Sequence, residues 1–194
     1  MILVGLTGLI GSGKTFALNF FKSKKIKTFS ADEEVKKILK LNYVKKKIFK
    51  KFPNVFINKK LNKEMLASQG FSRKKKLQIL EKIIHPLVNK NKKNFLNKNK
   101  KNKIVILEIP IIFEKKSKKN YDYIILMNIN KKIQFQRIKK RKNMTNELFK
   151  KILSNQISNK KKKFADFVIN NNGSKVKTRQ NLKKTLDKII STRI

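Results

Sequence analysis

The feature that most constrains this chain is Gly5-Leu6-Thr7-Gly8-Leu9-Ile10-Gly11-Ser12-Gly13-Lys14-Thr15, set directly after the apolar run Ile2-Leu3-Val4. It satisfies the pattern Gly-x4-Gly-Lys-[Ser/Thr] of a phosphate-binding loop, between a short strand of buried type and a helix-capable stretch, Phe16 to Lys24. Glycine lets the backbone turn tightly and brings successive N–H groups against phosphate oxygens, where a Cβ would collide. The residues expected around the nucleotide phosphates are Gly8, Ile10, Gly11, Ser12, Gly13, Lys14, Thr15 and Phe16. Lys14 adds a charge on the β- and γ-phosphates, and the Thr15 hydroxyl is placed to reach Mg²⁺. With 6 Gly in 194 residues, an accidental match to so spaced a pattern is rare.

The length suits one domain with a subdomain inserted in it. The net charge of +41 raises nucleic acid as a partner. Only five basic residues are Arg, however (Arg73, Arg137, Arg141, Arg179, Arg193), and no basic and aromatic signature of an RNA-binding module is present. Lys, Asn, Ile and Phe are elevated together along the chain, and they share A/T-rich codons. The charge therefore reads as a by-product of composition, with only weak, salt-sensitive adhesion to polyanions to follow. Cysteine is absent, which excludes disulfides and Cys-based metal sites and fits a reducing cytoplasm. No basic leader precedes the first apolar residues, and no apolar run reaches the ~20 residues that span a bilayer. A cytoplasmic monomer with no membrane partner and no specific nucleic acid is expected.

Taken in order, Met1 to Leu6 is a first strand and Ile26 to Phe29 a second, after which Ser30 or Asp32 can cap the next helix. From Pro53 to Lys103 the chain reads as helical and lysine-rich with no convincing strand, and His85-Pro86 breaks its clearest amphipathic helix. Ile104 to Leu107 is a third strand, buried on both faces, ending at Glu108, and Pro110 stops its pairing. Tyr123 to Met127 and Phe167 to Ile169 supply a fourth and fifth. A helical hairpin lies between them, joined by the basic turn Lys139 to Met144, and Asn181 to Ile190 is a last helix. The expected fold is α/β, a five-stranded parallel sheet flanked by helices on a P-loop NTPase plan. Its core is 1–31, 104–132 and 165–194, with a helical acceptor-binding insertion at 32–103 and a helical lid at 133–164.

No Asn-Lys-x-Asp or Asp-x-x-Gly argues for a GTPase, and no Leu-Ser-Gly-Gly-Gln argues for an ABC ATPase. A small chain with an insertion and a basic hairpin suits phosphoryl transfer to a small acceptor, which needs charge neutralisation and a positioned nucleophile. Among 11 carboxylates, Asp32 follows the second strand and Glu108 ends the third, both at the edge where the γ-phosphate would lie. Either can take the acceptor's proton or hold a Mg²⁺ water. The plain alternatives are helix capping for Asp32 and a strand-end charge paired to lysine for Glu108. Asp122, Asp166, Glu33 and Glu34 read as structural, as a lone histidine such as His85 usually is.

Gly8 to Thr15, Ala31-Asp32, His85-Pro86-Leu87, Glu108-Ile109-Pro110-Ile111-Ile112-Phe113-Glu114, Thr145-x-Glu147 with Gln156, and Ala165-Asp166-Phe167-Val168-Ile169-x-Asn171-Asn172-Gly173 come in this order along the whole chain. Together they resemble the dephospho-CoA kinase family. The resemblance implies ATP and dephospho-CoA as substrates, Mg²⁺ with the ATP, and transfer of the γ-phosphate to the ribose 3′-hydroxyl. It further implies Asp32 as general base and metal partner, and His85, Glu108 and Pro110 with Asp32 on the acceptor. Arg137 and Arg141 become lid arginines near the ATP phosphates, and the turn from Asn171 to Ser174, holding Asn172 and Gly173, lies beside adenine. The chain departs from the family pattern at Ser30 and Glu108, where the family usually carries Asp, at Asn62-Lys63 and at Lys142. The spacing from Gln156 to Asp166 is also one residue short.

Overall fold

The computed structural model describes residues 1–109, 120–141, 144–154 and 164–192. Its centre is a sheet of five parallel strands: β1 (Ile2–Thr7), β2 (Lys27–Ser30), β5 (Ile104–Glu108), β6 (Tyr123–Asn128) and β7 (Phe167–Asn170), in the order β2-β5-β1-β6-β7. β1 lies in the middle because its apolar residues have helices to pack against on both faces, as a parallel sheet requires. Ile2, Val4 and Leu6 join α1 (Lys14–Ser23) and α8 (Lys175–Ser191) in one core cluster, whereas Leu3 packs against a second cluster on the other face. The same alternation splits β5. Ile106 belongs to the first cluster; Val105 and Leu107 belong to the second.

The second cluster is roofed by the segment between β2 and β5. This comprises α2 (Ala31–Ile38), α3 (Asn42–Lys51), a short hairpin of β3 (Phe56–Ile57) and β4 (Lys60–Leu61), α4 (Lys63–Gly70) and the long α5 (Lys74–Lys98). Ile38, Val44, Ile48, Leu66, Ile84 and Val88 are the buried residues that these helices contribute. α6 (Lys131–Lys139) and α7 (Asn146–Ser154) form the hairpin between β6 and β7. Asp122 and Asp166 serve as strand latches: their carboxylates accept from Leu3 N–H (2.7 Å) and Ile124 N–H (2.8 Å), extending the parallel pairing at its amino end.

Three expectations are corrected. The span from Pro53 to Lys103 does contain strands, but two residues apiece are too few to display a period of two; the turn between them is made by Asn58 and Lys59, at φ of 48° and 61°. The helix around His85 does not break at Pro86. Pro86 lies on the exposed side of α5, and burial of Ile84 and Val88 outweighs the one hydrogen bond proline forfeits. The last helix begins at Lys175, six residues before Asn181, because Ser174 caps it by accepting from Lys177 N–H. Among the described residues no helix is long and apolar enough to cross a membrane.

Candidate active site

The loop between β1 and α1 emerges at the carboxyl end of the central strand, where parallel sheets place their ligands. Its shape demands glycine at two points. A Cβ on Gly8 would lie 2.5 Å from Met127 O, and one on Gly13, at φ 98°, would lie 2.0 Å from Asn171 Nδ2. Gly13 precedes α1 with no side-chain cap and no acidic residue in the first turn, so the leading N–H groups remain available to an anion. Ser12 Oγ is buried inside the loop with no hydrogen-bond partner among the described residues, the kind of orphaned polar atom that a bound oxyanion or its water would satisfy. Lys14 Nζ donates to Gly8 O (2.9 Å) and Leu9 O (3.4 Å). Burial pulls its pKa below the ordinary lysine value and Arg141 adds to that, while Glu108 and Asp32 pull the other way. Thr15 is exposed beside it, and Phe16 is partly buried with the Arg179 guanidinium 5.8 Å from its ring centre.

The acids stand beyond the neighbouring part of the sheet, Glu108 at the end of β5 and Asp32 in the first turn of α2 after β2. Glu108, at the end of β5, is 3% exposed and accepts a short hydrogen bond from Ser30 Oγ at the end of β2. That hydroxyl also accepts from Glu33 N–H and so caps α2. Ser30 rather than Asp32 is therefore the cap, which leaves Asp32 exposed in the first turn of α2 with a carboxylate unspent on the helix end. Nor is Glu108 a surface charge paired to lysine. Desolvation raises its pKa, the negative charge of Asp32 raises it further, and the Ser30 bond and Lys14 offset part of the rise.

This raised pKa sets a stability prediction. For an acid whose folded pKa exceeds its unfolded one, the stabilising contribution is complete below the unfolded pKa and is lost as pH rises through the folded pKa. Glu108→Gln, which can still accept from Ser30, should thus melt no lower than the parent at pH 7 to 8, with any advantage closing toward pH 4. A variant that melts lower at pH 8, by a gap widening with pH, would show that the buried carboxylate is held as a stabilising charge.

α6 lies over the loop. Gln134 Nε2 donates to Ile10 O (2.7 Å), Ile138 approaches Gly11, and Arg137 donates to Asn171 O (3.0 Å). Asn171 in turn donates to Ser12 O, and Asn172 Oδ1 accepts from Asn130 N–H, which fixes the β7 turn against the start of α6. Gly173 follows in that turn, where a Cβ would make ordinary contact with Lys177 Cδ at 3.9 Å. Loop, acids, both arginines and the Asn172-Gly173 turn thus gather at one edge of the sheet. The ion-pair contact of His85 is with Glu81 on its own helix, at 3.8 Å. Pro110, Ile111 to Glu114, Gln156 and Lys142 lie outside the described residues. Three site residues escaped the sequence reading: Gln134, Asn171 as a loop contact, and Ser30 as the partner of Glu108.

A phosphate loop on the central strand of a parallel five-stranded sheet, with one acid at the adjacent strand's end, a second at the start of the next helix, and an arginine-bearing helix above, defines a P-loop kinase. The dephospho-CoA kinase family model matches residues 2–177. The chain is 38% identical over 183 residues to the dephospho-CoA kinase of Bartonella henselae, covering 93% of this chain and 94% of that one. It is 40% identical over 173 residues to that of Bartonella quintana, covering 88% and 89%. The solved structure of dephospho-CoA kinase from Campylobacter jejuni superposes with a TM-score of 0.61 at 25% identity, covering 96% of each chain. The chain belongs to the dephospho-CoA kinase family and phosphorylates dephospho-CoA in the final step of coenzyme A biosynthesis.

Proposed function

We propose that the reaction runs at the edge just described, with Asp32 as general base. The acceptor's ribose 3′-hydroxyl gives its proton to Asp32 as its oxygen attacks the γ-phosphorus of ATP. The bond from that phosphorus to the bridging oxygen breaks, and ADP leaves. The observation that carries this reading is that Asp32 stands exposed at the loop's edge while Ser30 does the capping. Lys14 and the N–H groups at the start of α1 hold the phosphates, Arg137 and Arg141 neutralise the charge that develops there, and the Asn172-Gly173 turn borders adenine. Glu108, with His85 and Pro110, holds the acceptor.

Thr15 and Asp32 offer the hard oxygen donors that suit Mg²⁺. Among the described residues no three acidic or histidine side chains converge to hold a metal unaided, and Mg²⁺ bound chiefly through phosphates and water needs none. Bound with ATP, the ion would neutralise phosphate charge. We assign 32–103 to acceptor binding, 133–164 to a lid, and the remainder to the nucleotide core of a cytoplasmic monomer whose lysines have no specific nucleic-acid partner.

Asp32→Asn keeps the shape and removes the base. Its kcat should fall ~10²-fold or more, with the melting temperature nearly unchanged, since the cap on α2 stays with Ser30. Near-normal kcat in this variant would remove Asp32 from the chemistry.

A further inference from the structure

Of the six carbonyls from Gly8 to Gly13, five accept hydrogen bonds from the protein's own donors. Gly8 O and Leu9 O accept from Lys14 Nζ, and Leu9 O also accepts from Ser12 N–H. Ile10 O accepts from Gln134, Ser12 O from Asn171 and Gly13 O from Ala17 N–H. Two of these donors are side-chain amides from other elements, Gln134 on α6 and Asn171 after β7, and they take the carbonyls on either side of Gly11. A backbone concavity binds an anion when its N–H groups converge, which requires the intervening carbonyls to point outward. A carbonyl held from outside by a buried donor cannot swing in.

We propose that Gln134 and Asn171 are positioning residues that hold the loop in its phosphate-binding shape, so that ATP meets a formed site. Both are almost wholly buried, at 2% and 6% exposure, and neither is spent on solvent. Asn171 is itself oriented: Thr178 Oγ1, 1% exposed, donates to its Oδ1 at 2.9 Å and so turns the amide nitrogen toward Ser12 O. Asn171 N–H donates to Asn128 O, which anchors the pin to β6. The fit at Gly13 has the same origin, since the amide occupies the space a Cβ there would need. Arg137, one turn along α6 from Gln134, donates to Asn171 O, so the two pins and the arginine are mechanically one unit.

This inference rests on the phosphate-loop reading and deepens it. The test uses Gln134→Met, Asn171→Ala and the pair Thr178→Val and Thr178→Ser, with Lys14→Met as a control for the loop itself. A loop that spends a tenth of its time in the competent shape shows an apparent affinity reduced tenfold. KM for ATP, and Kd for inorganic tripolyphosphate, should therefore rise about tenfold in Gln134→Met and Asn171→Ala, with KM for dephospho-CoA unchanged. Thr178→Val should shift both constants in the same direction and Thr178→Ser should restore them, although both variants fill the site. If Lys14→Met loses tripolyphosphate binding while the amide variants keep it, the positioning roles are overturned and the loop reading stands. If ATP and dephospho-CoA weaken together in the amide variants, their role is general packing and the proposal fails. If no variant, Lys14→Met included, alters ATP or tripolyphosphate binding, both readings fall.

Discussion

Lys14→Met should lower ATP turnover about 10³-fold or more without lowering the melting temperature of the nucleotide-free protein at pH 7. The two halves of this result have one cause. The Lys14 ammonium is buried, and desolvation depresses its pKa. A cation with a depressed folded pKa contributes stability above its unfolded pKa and loses it as pH falls through the folded value, so at neutral pH the charge is a cost to the fold. Methionine keeps the hydrocarbon stem and removes that cost. What it cannot supply is a positive point charge beside the transferring phosphoryl group, where the site is organised around developing negative charge. Thermal melts with and without ATP should show the nucleotide-induced shift lost together with turnover. A variant that turns over normally would remove Lys14 from the site. One that melts far lower would mean that its bonds to Gly8 O and Leu9 O are its principal work.

Dephospho-CoA should exceed adenosine as acceptor by at least ~10²-fold in kcat/KM, although both present a ribose 3′-hydroxyl. The segment from 32 to 103 runs to about seventy residues, far more surface than one ribose can use. If it grips the remote part of a long acceptor, that binding energy is available to hold the hydroxyl in line with the γ-phosphorus, and a truncated acceptor loses kcat as well as affinity. The assay follows ADP release at saturating ATP with each acceptor. Equal kcat for the two would mean that the segment contributes nothing to positioning and would separate it from the acceptor site.

Where the sequence was legible, a single strong periodicity or a fixed spacing was at work. β1, β5 and β6 were visible because a strand buried on both faces is a continuous apolar run, and the phosphate loop because its glycines are spaced by geometry rather than by packing. Asp32 and Glu108 were singled out because carboxylates are scarce in this chain and strand ends mark a sheet's binding edge. Ser30 was seen as a possible cap, but its bond to Glu108 joins residues 78 apart, and no local pattern encodes such a pairing. Gln134 and Asn171 were hidden for the same reason: an amide inside a helix or a turn resembles any of the many polar residues here until the loop it reaches is in place. The β3–β4 hairpin was missed through brevity, and the helix through Pro86 because the proline rule weighs the lost bond and not the burial on either side of it.

β5 is a party wall. Val105 and Leu107 serve the hydrophobic cluster built with α2 to α5, while Ile106, between them, serves the cluster of α1 and α8. Three consecutive residues thus belong to two neighbours at once. The segment from 32 to 103 is no cassette that a lineage can exchange whole, because any replacement must fit the undersides of β2 and β5. Substitution is freest on its surfaces that face away from that wall. The same freedom has let lysine accumulate. Among the described residues Lys14 alone of all the lysines is buried, and it is the lysine of the phosphate loop.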